Sequence, residues 1–378
     1  MQRFVFKLFS GLISLFAMLP HSMAIAAPQP FAYGADLSLV THLEKNGVKF
    51  RQDGQVLPGL QIFHNHGCNF ARLRLFVDPD GTAAQVNTLA YTLDLAQQAE
   101  ALGMRILLNF HYSDQWGDPN NQSIPKAWKD LPEEALRQRV RDYTRETLEA
   151  FRERGCLPQM VQIGNEINHG MMWPIGGPLH HENGGKKWIP LGHLLKAAAQ
   201  GVRDADPDRT ISIMVHPACG GHAEAAISFF DNVVAQSVPF DVIGLTYYPF
   251  WNGSIEDLTQ TMHQLAERYK RPIYVVEVGK NWNGDEQSKP FPDTPLGQKE
   301  FLKAVIDALH GVPNNLGQGF FYWAADWVQS PKWLESPEKS KQWEQRALFD
   351  FEGNALPALE LFQGKNAESN KAPATLTE

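Results

Sequence analysis

Apolar residues along this chain fall into two alternating kinds of run. Short, nearly continuous stretches of Val, Ile, Leu and Phe have the pattern of strands buried on both faces. They occupy Phe31–Asp36, Asn69–Phe76, Arg105–His111, Met160–Glu166, Thr210–Val215, Phe240–Tyr247, Pro272–Glu277 and Gly319–Trp323. Longer segments lie between them at Asn87–Leu102, Pro132–Arg154, Leu191–Asp204, Ala223–Val234, Ile255–Tyr269 and Gly297–Leu309. In the first of these, Leu89, Leu93, Ala96 and Ala99 line one face at the helical period. Eight strands alternating with helices, each bounded by Gly, Pro or Asn, predict one α/β domain: a (β/α)8 TIM barrel rather than a doubly wound sheet.

The two ends read differently. Arg3 and Lys7 precede an apolar stretch from Leu8 to Leu19, and Ala24-Ile25-Ala26 has the small-x-small form of a cleavage site. Residues 1–26 are therefore expected to be a secretory signal peptide, its apolar stretch too short for an ordinary membrane span. The barrel is then expected over 27–363. The tail from Gly364 (GKNAESNKAPATLTE) is polar and expected to be disordered. No later window is apolar enough to cross a bilayer. The reading is thus a secreted or periplasmic protein with no membrane partner after cleavage, a monomer by default.

Composition narrows the chemistry. The net charge is −8 and no Lys/Arg cluster stands out, which argues against a nucleic-acid partner. Three cysteines, Cys68, Cys156 and Cys219, match no metal motif and exclude a disulfide framework, although one bridge (Cys68–Cys156, for example) stays open. Ten Trp leave two uses open: stacking on sugar rings or filling the core.

In a (β/α)8 barrel the catalytic groups sit at the C-terminal ends of the strands. Those ends read Asp36, Arg72-Leu73-Arg74, His111-Tyr112-Ser113-Asp114, Asn165-Glu166, His216, Tyr247-Tyr248, Glu277 and Trp323. Alone, Glu166 could cap a helix and Glu277 could be a strand-end ion-pair partner. Together, on strands four and seven, they would face each other across the barrel mouth. Such a pair is what glycosidic hydrolysis requires: one carboxylic acid for the departing oxygen and one carboxylate for the anomeric carbon.

The motifs ARLRLFVDP (71–79), NFHYSDQWGDP (109–119), IGNEINHGMMWP (163–174), DVIGLTYYPFW (241–251), VVEVG (275–279) and GFFYWAADW (319–327) occur in this order. Together they resemble glycoside hydrolase family 53, the endo-β-1,4-galactanases, from roughly Phe31 to Leu361. The resemblance implies a retaining endo-acting glycosidase whose partner is a polysaccharide, the β-1,4-galactan of pectin, with Glu166 as acid/base and Glu277 as nucleophile. It further implies that Asn165 holds the sugar 2-hydroxyl, that Arg72 keeps Glu277 ionised, that Tyr247 donates to Glu277, and that Trp323 forms a floor under the reacting sugar. Bland roles stand beside these. Arg72 and Arg74 could be structural ion-pair partners. His111 could contact substrate or only support Glu166 or Asn165, and Asp114 and Trp116 could bind sugar hydroxyls and stack a ring.

Three stretches depart from the family pattern. HPACGGH (216–222) replaces an acidic, Trp-containing loop, Ala324-Ala325-Asp326-Trp327 lacks a Glu and a Pro, and Val278 stands where Thr is usual. These leave two alternatives: the same machinery on another β-linked chain such as mannan or xylan, or a non-catalytic sugar-binding barrel. No cofactor is expected. Some family members hold Ca²⁺ after strand seven, but Asn281, Asn283 and Asp285 lack the carboxylate density of such a loop, and a plain loop is the stronger reading.

Overall fold

The computed structural model describes residues 30–82, 84–179, 186–328 and 343–367. Eight parallel strands close into a barrel: β1 (Ala32–Asp36), β2 (Phe70–Leu75), β3 (Arg105–Phe110), β4 (Met160–Ile163), β5 (Ser212–Val215), β6 (Val242–Tyr247), β7 (Ile273–Val278) and β8 (Gly317–Tyr322). Each pairs with its sequence neighbours, and β1 closes on β8 through Ala32↔Gly319 and Ala35↔Tyr322. The fold is the (β/α)8 barrel that the alternating runs imply.

The helices follow from periodicity and caps. They are α1 (Val40–Lys45), α2 (Gly59–Asn65), α3 (Leu89–Ala101), α4 (Glu133–Glu153), α5 (Trp188–Ala205), α6 (Ala223–Ala235), α7 (Pro249–Asn252), α8 (Ile255–Tyr269) and α9 (Pro295–His310). Along α4 the buried residues Leu136, Val140, Thr144, Thr147, Leu148 and Phe151 recur at helical spacing, so one stripe packs on the barrel. Thr88 caps α3 by accepting from Tyr91 N–H, and Ser254 and Asp257 form a reciprocal capping box on α8. The short helices α1, α2 and α7 are not marked by the apolar pattern because one to two turns carry too few apolar positions to set a period. Pro357–Ala367 forms a 3-10 helix with a kink at Gly364, where the expected tail starts. Residues 368–378 and the expected signal peptide lie outside the described residues.

The barrel interior has two layers. Its lower half is apolar, filled by Ala32, Phe70, Leu107, Met160, Met214, Val242, Tyr274, Val276 and Phe321. The Val, Leu, Met and Phe side chains among them each contribute roughly 1.5–3 kcal/mol on burial. The next inward positions, toward the strand ends, are polar and equally buried: Asp36, Arg72, Arg74, Asn109, Gln162 and Thr246. On β7 the parity breaks. Leu245 pairs with Val275 but Thr246 pairs with Glu277, so one extra residue is inserted. This bulge brings Glu277 to the interior directly after the inward-facing Val276. Among the described residues no helix is long and apolar enough to cross a membrane.

Candidate active site

Glu166 does not end a strand in extended conformation, as its position in the run VQIGNE suggests. β4 stops at Ile163, Gly164 turns with φ +100°, and Glu166 itself sits at φ +48°. That left-handed conformation is strained for a side chain other than Gly, and such strain collects at functional sites. Neighbours hold it in place. Gln122 Nε2 donates to Asn165 O at 2.8 Å, and Ile167 N–H donates to His216 O at 3.1 Å.

The two carboxylates meet across the mouth. Carboxylate oxygens of Glu166 and Glu277 and a ring nitrogen of His216 lie within 4.8 Å of one another. Arg72 Nη2 donates to Glu277 Oε1 and to Asn165 Oδ1, both at 2.8 Å, and Arg72 Nη1 reaches Asp36 Oδ2 at 3.2 Å. Asp36 also accepts from Arg74 Nη1 at 2.9 Å. Buried charges need partners, and here two guanidiniums share Asp36 while Arg72 also engages Glu277. Thr246 Oγ1 donates to Glu166 Oε1 at 2.6 Å.

Burial raises the carboxyl of Glu166 above the usual range, and the charge of Glu277 adds to this. Burial also raises Glu277, but the Arg72 guanidinium opposes it. Of the two, Glu277 has the guanidinium in contact and Glu166 does not. The asymmetry favours a proton on Glu166 and a charge on Glu277.

The other expected site residues divide into those that reach the pair and those that do not. Asn165 lies between Arg72 and the Gly117 carbonyl, to which its Nδ2 donates at 2.9 Å. Among the described residues, His111 makes no direct hydrogen bond to Glu166 or Asn165. Its Nδ1 accepts from Gly117 N–H at 3.0 Å, so it holds the residue that holds Asn165. Its ring stays neutral, because burial and then the charges of Arg74 and Arg72 lower its pKa well below 6.5. Tyr247 requires correction: its hydroxyl donates to Gly253 O at 3.0 Å, away from the mouth. The tyrosine reaching Glu277 is Tyr248, 3.4 Å from Oε2. Successive strand residues point to opposite faces, so a shift of one residue exchanges mouth for exterior. Asp114 accepts from Asp78 N–H and Lys126 N–H, which staples two loops instead of presenting a free carboxylate. Trp116 and Trp323 pack edge to face at 5.7 Å, with the Arg74 guanidinium over both rings.

Asp36, His216 and Tyr248, expected only as strand-end residues, join the site, and Asn109, Gln162 and Thr246 join it without any such expectation. A polar residue inside an otherwise apolar strand run, such as Gln162 in MVQI or Asn109 in RILLNF, was the available signal, because burial demands a partner for it. Trp251 and Phe250, both more than half exposed, adjoin Tyr248 and line a cavity of about 390 Å³ with Asn281, Trp343, Gln345 and Arg346. The convergence of Glu166, His216 and Glu277 suits a cation by distance, but both His216 nitrogens are engaged, Nδ1 by Gln162 and Nε2 by Thr246. In the loop after β7, Asp293 is satisfied by Lys280 Nζ, Asn281 Nδ2 and Asp285 N–H, all donors. All three cysteines are buried thiols, so the possible Cys68–Cys156 bridge is not formed.

Two carboxylates opposed at the C-terminal mouth of a (β/α)8 barrel, one with a guanidinium in contact, define the class of barrel glycosidases. The chain belongs to glycosyl hydrolase family 53, whose family model matches residues 32–362. It is 32% identical to an arabinogalactan endo-beta-1,4-galactanase of Cellvibrio japonicus, covering 92% of this chain and 94% of that protein. It is 34% identical to a probable arabinogalactan endo-beta-1,4-galactanase A of Neosartorya fischeri, covering 84% of this chain and 90% of that one. The solved catalytic domain of an Ignisphaera aggregans member of the same family superposes with a TM-score of 0.80 at 33% identity, over 90% of this chain and 97% of that domain.

Proposed function

We infer that the protein is a retaining endo-β-1,4-galactanase acting on the galactan of pectin. The observation that carries the reading is the Glu166–Glu277 pair, with reactive atoms within 4.8 Å and Arg72 bound to Glu277. Carboxyls about 5–5.5 Å apart suit direct attack, whereas inverting enzymes need about 6.5–9.5 Å for an intervening water. The names of the relatives support galactan as the substrate.

In this reading Glu277 attacks the anomeric carbon while Glu166 protonates the departing oxygen, and a glycosyl ester forms on Glu277. Glu166, now ionised, takes a proton from water, which attacks the same carbon and frees Glu277. Net retention follows from two inversions. Asn165, fixed by Arg72 and Gly117, would hold the 2-hydroxyl, and Tyr248 would donate to Glu277. The exposed faces of Phe250 and Trp251 suit the apolar faces of further sugars along the chain. Export through the N-terminal signal peptide and action as a monomer complete the reading, and N-terminal sequencing of the secreted protein would test the cleavage site.

The test is reducing-sugar release from β-1,4-galactan, with mannan and xylan alongside. Wild type should cleave galactan, and Glu166→Gln and Glu277→Gln should each lose at least about 10³-fold in kcat. Cleavage of mannan or xylan but not galactan overturns the substrate. An inverted product anomer by NMR overturns the mechanism.

A further inference from the structure

The hydrogen bonds behind Glu166 run in one direction, and they start at a group that can only donate. Arg72 turns Nε and Nη2 toward Gln162 Oε1, each at 3.4 Å, and a guanidinium has no acceptor. That contact sets the Gln162 amide: its oxygen faces Arg72 and its nitrogen faces away. Around the nitrogen lie Asn109 Oδ1 at 2.7 Å, Asn165 Oδ1 at 3.0 Å, Gly164 O at 3.1 Å and His216 Nδ1 at 2.9 Å. The first three are acceptors, which confirms the orientation. The amide nitrogen has two protons to share among the four and no lone pair to offer, so His216 Nδ1 cannot donate to it and faces it as the unprotonated ring nitrogen.

His216 is fully buried, and Arg72 and His111 disfavour a further positive charge on it, so its ring is neutral. A neutral imidazole unprotonated at Nδ1 carries its proton on Nε2. Nε2 lies 2.8 Å from Thr246 Oγ1, so the threonine oxygen accepts there. Its own hydroxyl proton has Glu166 Oε1 at 2.6 Å as its acceptor.

We propose that Gln162, His216 and Thr246 are positioning residues whose hydrogen-bond direction, set by Arg72, locks the Thr246 hydroxyl as a donor to Glu166 Oε1 and confines the acid proton to Oε2. The proposal rests on the reading of Glu166 as the acid/base. In the first step the Oε2–H proton passes to the glycosidic oxygen as that oxygen leaves with the C–O bonding pair. In the second, Oε2 takes a proton from the attacking water. The Thr246 proton stays on its oxygen throughout, and Oε1 keeps the same hydrogen bond in both states. The carboxyl therefore does not have to rotate, and its proton does not have to choose between two oxygens.

The titratable groups facing Glu166 are Glu277 on β7, Arg72 on β2, Asp118 after β3, His216 and Cys219 after β5, and Tyr248 after β6. Thr246→Val leaves all of them in place and removes only the hydroxyl. A donor to a carboxylate favours its ionised form, so its loss raises the Glu166 pKa. The alkaline limb of kcat/KM on galactan should then move up by about one pH unit. Two substrates separate positioning from folding. On galactan kcat/KM should fall about tenfold, whereas a nitrophenyl β-galactobioside, whose leaving group needs no proton, should lose less than about threefold. Thr246→Ser should restore both the limb and the rate.

A change in the folded fraction cancels in the ratio of the two substrates. If the valine variant does not fold at all, Thr246→Ala carries the same expectation. An unmoved alkaline limb with equal losses on both substrates overturns the proposal. Wild type that cleaves no galactan, or a Glu166→Gln variant that keeps the alkaline limb, overturns the acid/base assignment instead and takes the relay down with it.

Discussion

Tyr247 and Tyr248 are adjacent and chemically identical, yet only one faces the carboxylates. The hydroxyl of Tyr248 lies against Glu277, while that of Tyr247 satisfies Gly253 O behind the barrel wall. Tyr248→Phe should therefore lower kcat about tenfold with little change in Tm. Tyr247→Phe should cost about 1 kcal/mol of stability in urea unfolding and leave kcat near wild type. A reversal of these two outcomes would exchange their roles. Asp326 makes a pH-dependent case. Burial, and then the charge of Asp36, push its carboxyl up to about 8. Its raised folded-state pKa stabilises the fold fully below its unfolded value, about 3.9, and that contribution is lost as pH rises toward 8. Asp326→Asn cannot titrate, so its Tm should depend less on pH between 4 and 8 than that of the wild type. Parallel Tm–pH curves would contradict this.

At the scale of elements, the loop after β5 decides how the mouth is shaped. HPACGGH is short and lies directly on the end of β6 and on α7. A Cβ on Gly221 would fall 1.5 Å from Asn252 O, and one on Gly220 would fall 2.5 Å from Thr246 O. Asn168 pairs with Ala218 in both directions, through Nδ2→O at 3.3 Å and N–H→Oδ1 at 2.6 Å. Glycine is required at 221 because a backbone occupies the space of any side chain. Gly221→Ala should push α7 away, lowering stability by more than about 2 kcal/mol and disturbing Tyr248 one turn away. Full activity and unchanged Tm in that variant would show that the loop yields easily. The bulge in β7 acts at the same scale, since without the extra residue Glu277 would point out of the barrel.

At the scale of the whole molecule, the barrel is held by packing and by internal ion pairs. Free buried thiols at Cys68, Cys156 and Cys219 mean that a reductant should leave Tm unchanged. The loop after β7 is tied by the ammonium of Lys280 and by amide donors converging on Asp293. EDTA should accordingly leave both Tm and galactan cleavage unaltered, whereas Lys280→Met should loosen the loop and lower Tm. A drop in Tm with EDTA would mean that this loop, or another, needs a bound cation.

The sequence by itself determined the barrel, its strand order and the two carboxylates. Continuous apolar runs alternating with 3.6-residue periods are local properties, and a glutamate directly after such a run stands out without any knowledge of its neighbours. The six long helices lie where their periodicity puts them, within a few residues at each end. What only the tertiary structure decided depends on parity and on partners. Tyr248 rather than Tyr247 meets Glu277, and Glu277 turns inward only through a bulge that no periodicity reveals. Asp114 proves to be a loop staple, and His111 acts through Gly117. Gln162, His216 and Thr246 come together from three strands or strand ends up to 84 positions apart, measured from 162 to 246. The reason is physical. A strand's side-chain direction changes with every residue, and a buried polar group is defined by the partner that satisfies it, which the chain brings near only when the barrel closes.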